Sequence, residues 1–165
     1  MNRFYGKYRG TVVENTDDSK QHRLRISCPA VLGEGRKSWA LPCLPYAGDG
    51  VGLSLLPPVG AWIWVEFEGG DPNLPIWTGC FWGPDQVLPE ADGPAKKILR
   101  TDGVTLTIDD TPNSGGVSLA VGSPVVPAPL TVRLSSSGIE LVNGNAKVTL
   151  TATTVSINDG ALEVM

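Results

Sequence analysis

The sequence predicts an all-β chain made of two halves with different packing rules. Three observations carry this. Short runs alternate apolar and polar residues along most of the chain, and no run sustains the i, i+3, i+4, i+7 spacing of apolar residues over the length of an ordinary helix, so almost no helix is expected. Turn formers are dense, with 20 Gly and 14 Pro among 165 residues. Every aromatic residue lies at or before Trp82 and none follows it.

In the first half, residues 4–14 read as a strand with Lys7 and Arg9 at outward positions, and residues 15–21 as a polar turn. Residues 22–28 alternate polar positions with Leu24 and Ile26, the pattern of a half-buried strand. A loop with two glycines (33–37) leads to a third strand, 38–44, which Pro45 ends. Residues 46–59 form a long glycine-rich loop. It has neither a G-K-[ST] sequence nor the strand-before, helix-after context of a phosphate loop, so it reads as a packing loop. Residues 61–68 are the most definite strand: Trp62, Trp64, Glu66 and Glu68 share one face, and Ile63, Val65 and Phe67 share the other. A turn at Gly69, Gly70, Asp71 and Pro72 joins it to a second β run, 74–81, making a hairpin. Five strands in so short a span suggest a small Greek-key barrel of OB type, with residues 1–82 as its domain.

Residues 83–97 hold Pro84, Pro89 and Pro94 with two glycines and mixed charges, the composition of a semi-extended linker. From 98 to 165 the pattern changes. Val104, Leu106 and Ile108 alternate with threonines; Val117, Leu119 and Val121 with serine and alanine; Leu130, Val132 and Leu134 with threonine and arginine. Ile139 and Leu141, Val148 and Leu150, Val155 and Ile157, and Leu162 and Val164 continue it, broken by glycine, asparagine or aspartate. Short period-2 strands at near-regular spacing suggest a β-solenoid or winding sheet.

A lone copy cannot easily satisfy this segment. Each strand offers two or three inward aliphatics, worth roughly 1.5–3 kcal/mol apiece when fully buried, against about 1–2 kcal/mol of backbone entropy per ordered residue. Three copies around one axis solve the problem: aliphatics from three chains fill a narrow core, edges pair between chains, and no aromatic ring fits. The expectation is therefore an intertwined homotrimer, a β-helical needle whose core holds Val104, Leu106, Ile108, Leu130, Val132, Leu134, Ile139, Leu141, Val148, Leu150, Val155 and Ile157. A monomeric β-sandwich is the competing reading of the same pattern. The stretch S-P-V-V-P-A-P at 123–129 interrupts the alternation and has no functional account beyond an excursion or entry strand.

The order and spacing of several residues carry a resemblance. Pro45-Tyr46-Ala47-Gly48, Gly52, Leu56-Pro57-Pro58-Val59-Gly60, Val65-Glu66-Phe67-Glu68-Gly69-Gly70-Asp71, Pro75 and Gly79 follow one pattern. It resembles the OB domain of contractile-tail central spikes, a family with phage baseplate assembly protein V, T-even spikes and VgrG-type spikes of type VI secretion. The likeness covers about the first half. It implies a spike at the centre of a baseplate, docked on a hub through the barrel and ending in a trimeric β-helical needle that breaches a target-cell envelope. The T-even spike carries a lysozyme domain between barrel and needle; here only the short linker occupies that place, which leaves no room for an enzyme. Phage, tailocin and extracellular injection system all remain open as the parent particle.

Other chemistries fare worse. The formal charge is −4, and the acidic excess lies entirely after Trp82, which argues against an OB-type nucleic-acid-binding protein with a β-rich tail, the main alternative. Trp62, Trp64, Trp77 and Trp82 suit a core or subunit interface better than a base-stacking platform, because no basic groove accompanies them. Glu66 and Glu68 read as a solvated face rather than the catalytic pair of a small envelope-degrading enzyme, a third reading. His22 is the sole histidine, so one chain builds no histidine triad. Cys28, Cys43 and Cys80 lack C-x-x-C spacing and read as reduced thiols rather than a three-thiolate metal site. No catalytic residue, metal or cofactor is expected.

The chain has no apolar run of about 18 residues and no basic-then-apolar leader. Synthesis in the bacterial cytoplasm without a signal peptide, and residence in a virion tail baseplate or equivalent particle, are the expectations. At the carboxyl end, Gly160-Ala161-Leu162-Glu163-Val164-Met165 alternates to the last residue. No histidine follows His22 and no cysteine follows Cys80, so a three-fold histidine or thiolate metal tip is excluded. Leu162, Val164 and Met165 would leave an apolar end face. The resemblance implies a PAAR-like tip protein docked there; a frayed terminus is the plainer reading.

Overall fold

The computed structural model of the chain describes residues 2–164. It divides into two compact units, Met1–Val87 and Leu88–Met165.

The first unit is a closed barrel. Its elements are β1 (Tyr8–Glu14), β2 (Leu24–Ser27), a single helical turn α1 (Pro29–Leu32), β3 (Lys37–Pro42), a ribbon of β4 (Ala47–Gly48) and β5 (Val51–Gly52), then β6 (Trp62–Phe67), a 3-10 turn Glu68–Gly70, and β7 (Pro75–Cys80). The barrel order is β1-β2-β3-β7-β6, closing back on β1. All its pairs are antiparallel except β3 with β7.

The alternation in β6 decides the inside of the barrel: Ile63, Val65 and Phe67 are buried, and they meet Val12, Leu24, Ile26, Cys28, Ala40 and Trp77 in one core. The pairing slips at Val12/Glu14 and at Ile63/Val65, and such bulges supply the bend that closure needs. Gly10 sits where strands approach most closely: a Cβ there would lie 2.8 Å from Val65 Cγ2 and 2.9 Å from the Ser27 carbonyl oxygen.

Local details depart from the sequence expectation. The first strand starts at Tyr8 rather than residue 4, because Gly6 turns the chain at φ 94°. Residues 29–32 make a helical turn, which Pro29 favours with its fixed φ at the first helical position. The long loop contains the small β4–β5 ribbon. The polar turn after β1 is an organised clamp: the nearly enclosed Asp17 carboxylate accepts the backbone N–H groups of Ser19, Gln21 and Arg23 and pairs with the Arg23 guanidinium at 2.8 Å.

The second unit is one open sheet. It contains β8 (Lys96–Arg100), β9 (Val104–Asp109), β10 (Gly116–Val121), β11 (Leu130–Ser135), β12 (Gly138–Asn143), β13 (Ala146–Leu150), β14 (Val155–Ile157) and β15 (Leu162–Val164). These eight strands pair strictly in chain order, each antiparallel to the next, with β8 and β15 as the two edges. Residues 123–129 form an excursion between β10 and β11, where the Gly122 carbonyl accepts the N–H groups of Val125 and Val126. Gly138 opens β12 at φ 126°, and a Cβ there would strike the Leu150 carbonyl oxygen. The individual chain is thus a meander.

Candidate trimer interface

Directly paired residues in an antiparallel sheet share a face. The register of the second unit therefore turns the alternating sequence into continuous rows running across the strands. One row is Leu99, Leu106, Leu119, Val132, Leu141, Val148, Ile157 and Leu162. A second, beside it, is Ile108, Val117, Leu134, Ile139, Leu150 and Val155, with Lys97 at its start. A shorter third is Val104, Val121 and Leu130, ending in Asn143 and Ala146 near a hairpin turn. All twelve residues named from the sequence as trimer core stand in these three rows.

The rows also take in Leu99, Val117, Leu119 and Val121. Leu99 was absent from the sequence reading, because it lies in Lys96-Lys97-Ile98-Leu99-Arg100, where two adjacent aliphatics hide the period of two.

This face is bare in the single chain. Among the described residues none from 84 to 162 is buried. Leu141 is 42% exposed and Leu134 44%. The face is concave, with Leu119, Leu130, Val132, Leu141, Val148 and Ile157 among the residues lining a recess of about 450 Å³. The whole chain exposes 11127 Å², whereas two compact domains sharing its 17.4 kDa would expose roughly 9,500 Å² together.

The other face is polar. Ile98, Thr107, Ser118, Arg133, Glu140, Thr149 and Ser156 occupy one of its rows. Lys147 lies 3.1 Å from a Glu140 carboxylate oxygen and 3.5 Å from Asp159, and these carboxylates push its ammonium pKa up. At one edge, Arg100 binds Glu90 through two nitrogens, and Lys97 pairs with Asp110.

The terminal strand is the other edge. Leu162 is 57% exposed and pairs with Ile157, and Val164 pairs through its backbone with Val155. Met165, the third residue assigned to tip docking, lies outside the described residues.

The barrel residues weighed for chemistry have structural partners. Glu66 accepts the Lys7 ammonium at 2.7 Å, and the same ammonium donates to the Thr78 hydroxyl. The Trp77 indole N–H donates to the His22 carbonyl from within the core. Trp62 and Trp64 pack on Phe81, with ring centroids 5.4 and 4.6 Å apart, and Arg9 lies over the same Phe81 ring. Trp82 is exposed. Cys28 is buried, and burial pushes its thiol pKa up; Cys43 and Cys80 are free and exposed. Among the described residues no group of three or more His, Cys, Asp or Glu side chains is arranged to hold a metal ion.

Two protein-family models match the chain. Residues 8–82 match the type VI secretion system/phage-baseplate injector OB domain, and residues 96–163 match the phage baseplate V C-terminal trimerisation domain. A search of curated proteins found no match. The matched trimerisation domain takes in every residue of the three rows, from Lys97 to Leu162.

Proposed function

Because this chain belongs to the phage baseplate V family of injector proteins, a family of structural baseplate components, we propose that it is the central, non-enzymatic spike of a contractile phage tail or related injection machine. The observation that carries the reading is the bare aliphatic face of an open eight-stranded sheet, within a domain whose family trimerises.

Three such sheets turn their rows toward one three-fold axis and supply one another's core. The rows run in the stacking direction of the strands, so they lie along the axis, and each chain forms one wall of a three-sided β-helical rod. Backbone hydrogen bonds then also point along the axis. Axial load on contraction is spread over whole ladders, and the outer face of Thr, Ser and paired charges slides past an envelope with little apolar adhesion. The barrels dock the trimer on a hub protein. Boundaries near residues 82 and 97 divide docking from puncturing, and the particle's target is a cell envelope rather than nucleic acid.

At the far end, β15 leaves a row of edge N–H and C=O groups beside exposed Leu162. A PAAR-like tip protein covers it, docked by strand-end pairing and apolar contact at Leu162, Val164 and Met165. Deleting residues 161–165 tests this. The trimer is expected to stay folded while the tip protein no longer co-purifies and infection or killing falls. Full activity of the deletion variant, or a bare rod end in images of the intact particle, overturns the capped tip.

A further inference from the structure

The barrel carries an apolar surface that its own core does not use. Strand β7 runs parallel to β3 and antiparallel to β6. The ends of β3 and β7 and the start of β6 therefore share one end of the barrel, and the loop from β3 to β6 spans it. Tyr46, Val51, Leu55 and Val59 of that loop are exposed there, with Trp62 and Trp82 beside the strand ends. The loop is held in place: the Asn15 side-chain amide donates to the Pro57 carbonyl at 3.1 Å, Leu53 N–H to Tyr46 at 2.9 Å, and Gly60 N–H to Val12 at 2.9 Å. A fixed surface of large apolar side chains is a docking surface rather than a loose loop.

The occupant follows from connectivity. The chain leaves the barrel at this same end, through Trp82 and Gly83, and enters the trimerisation domain at residue 96. A tether of 83–95 holds the same end of three sibling barrels at high local concentration. A three-fold contact is heterologous: each copy must offer two different patches, one for each neighbour. This end has two, an aliphatic loop and a pair of tryptophans.

We propose that the 46–59 loop of each barrel packs on Trp62 and Trp82 of the next, forming a second trimer interface in the barrel tier. The proposal rests on the trimeric spike described above, and it leaves the rest of the barrel surface to the hub.

The two exposed thiols report on it. Cys43 follows β3 and Cys80 ends β7, so both stand at this end, while Cys28 is buried. In the purified full-length trimer, maleimide is expected to label Cys43 and Cys80 at least about tenfold more slowly than in the double variant Val51→Asp/Leu55→Asp, which opens the contact. Leu74→Asp, at the opposite end of the barrel, is expected to leave both rates at the parent value. Light scattering on the same samples reports the oligomer. A trimer whose two thiols label at one rate in the parent and the double variant overturns the barrel contact alone. A monomeric mass overturns the trimeric reading with it. Thiols free in the isolated trimer but protected in intact particles would assign the surface to the hub and overturn the proposal.

Discussion

The barrel and the meander are built from the same kind of strand, yet one buries a core and the other, among the described residues, has no buried side chain. Five strands with two register slips curl until the last pairs with the first, and Ile63, Val65 and Trp77 face inward with no help from another chain. Eight strands with uninterrupted register stay open, and a longer list of aliphatics faces solvent. Apolar content alone therefore does not make an independent domain. Bulges and aromatic volume let the first unit close on itself; strict alternation with small aliphatics makes the second unit complete only as a set of copies.

The largest expected effect breaks the meander's side of this contrast. Leu141→Asp puts a carboxylate in the middle of the longest aliphatic row, and three copies would bring three like charges into one narrow core. Light scattering is expected to fall from three times the 17.4 kDa chain mass to a single chain. The barrel core around Trp77 should stay folded, so a cooperative unfolding transition followed by tryptophan emission should be retained. A trimeric Leu141→Asp protein would refute the aliphatic face as the core.

The complementary break is Ile63→Ala. Ile63 is fully buried in the barrel, and truncating such a residue costs about 2–5 kcal/mol. Denaturant unfolding followed by tryptophan emission is expected to shift to lower midpoint, with trimer mass retained under native conditions. Loss of trimer before loss of barrel fluorescence would show that the units do not divide the work as described.

A finer test uses pH. Hydrogen bonds from the Arg23 side chain, and then from backbone N–H groups, hold the Asp17 carboxyl far below its ordinary pKa. A depressed carboxyl contributes stability that is present above its unfolded pKa and lost as pH falls toward the folded value. Barrel stability should thus decline below about pH 4, where an unfolded aspartate takes up its proton. In Asp17→Asn that part of the acid dependence should be missing and neutral stability lower. Identical acid profiles for the two proteins would remove Asp17 as its source.

The smallest effect sharpens the polar face. Thr107 pairs with Ile98 and Ser118, on the side away from the aliphatic rows. Thr107→Asp is expected to change stability by less than about 0.5 kcal/mol and leave the mass trimeric.

What the sequence made legible follows from period two. Alternation at Val104–Leu106–Ile108 or Ile63–Val65–Phe67 assigns a side chain to a face, and the glycines and prolines bound each strand. Alternation does not say which strand pairs with which, so a winding sheet and a meander read alike, and only the register showed the rows. The β4–β5 ribbon went unread because each strand is two residues long and rich in glycine. The Asp17 clamp went unread because it depends on three N–H groups converging through backbone geometry that a run of polar residues does not specify. Leu99 was masked by its neighbour Ile98.

The uninterrupted register has a consequence for how such a protein changes size. Neighbouring strands lie about 4.8 Å apart, so every hairpin added to the meander lengthens the sheet by roughly 10 Å while leaving the facing of all other side chains unaltered. Hairpins come in pairs of strands, which returns the chain to the same side and preserves the identity of both edges. Sheet length is therefore inherited in whole steps: duplication or loss of one hairpin changes the extent of the aliphatic rows without redesigning the barrel or the terminal strand.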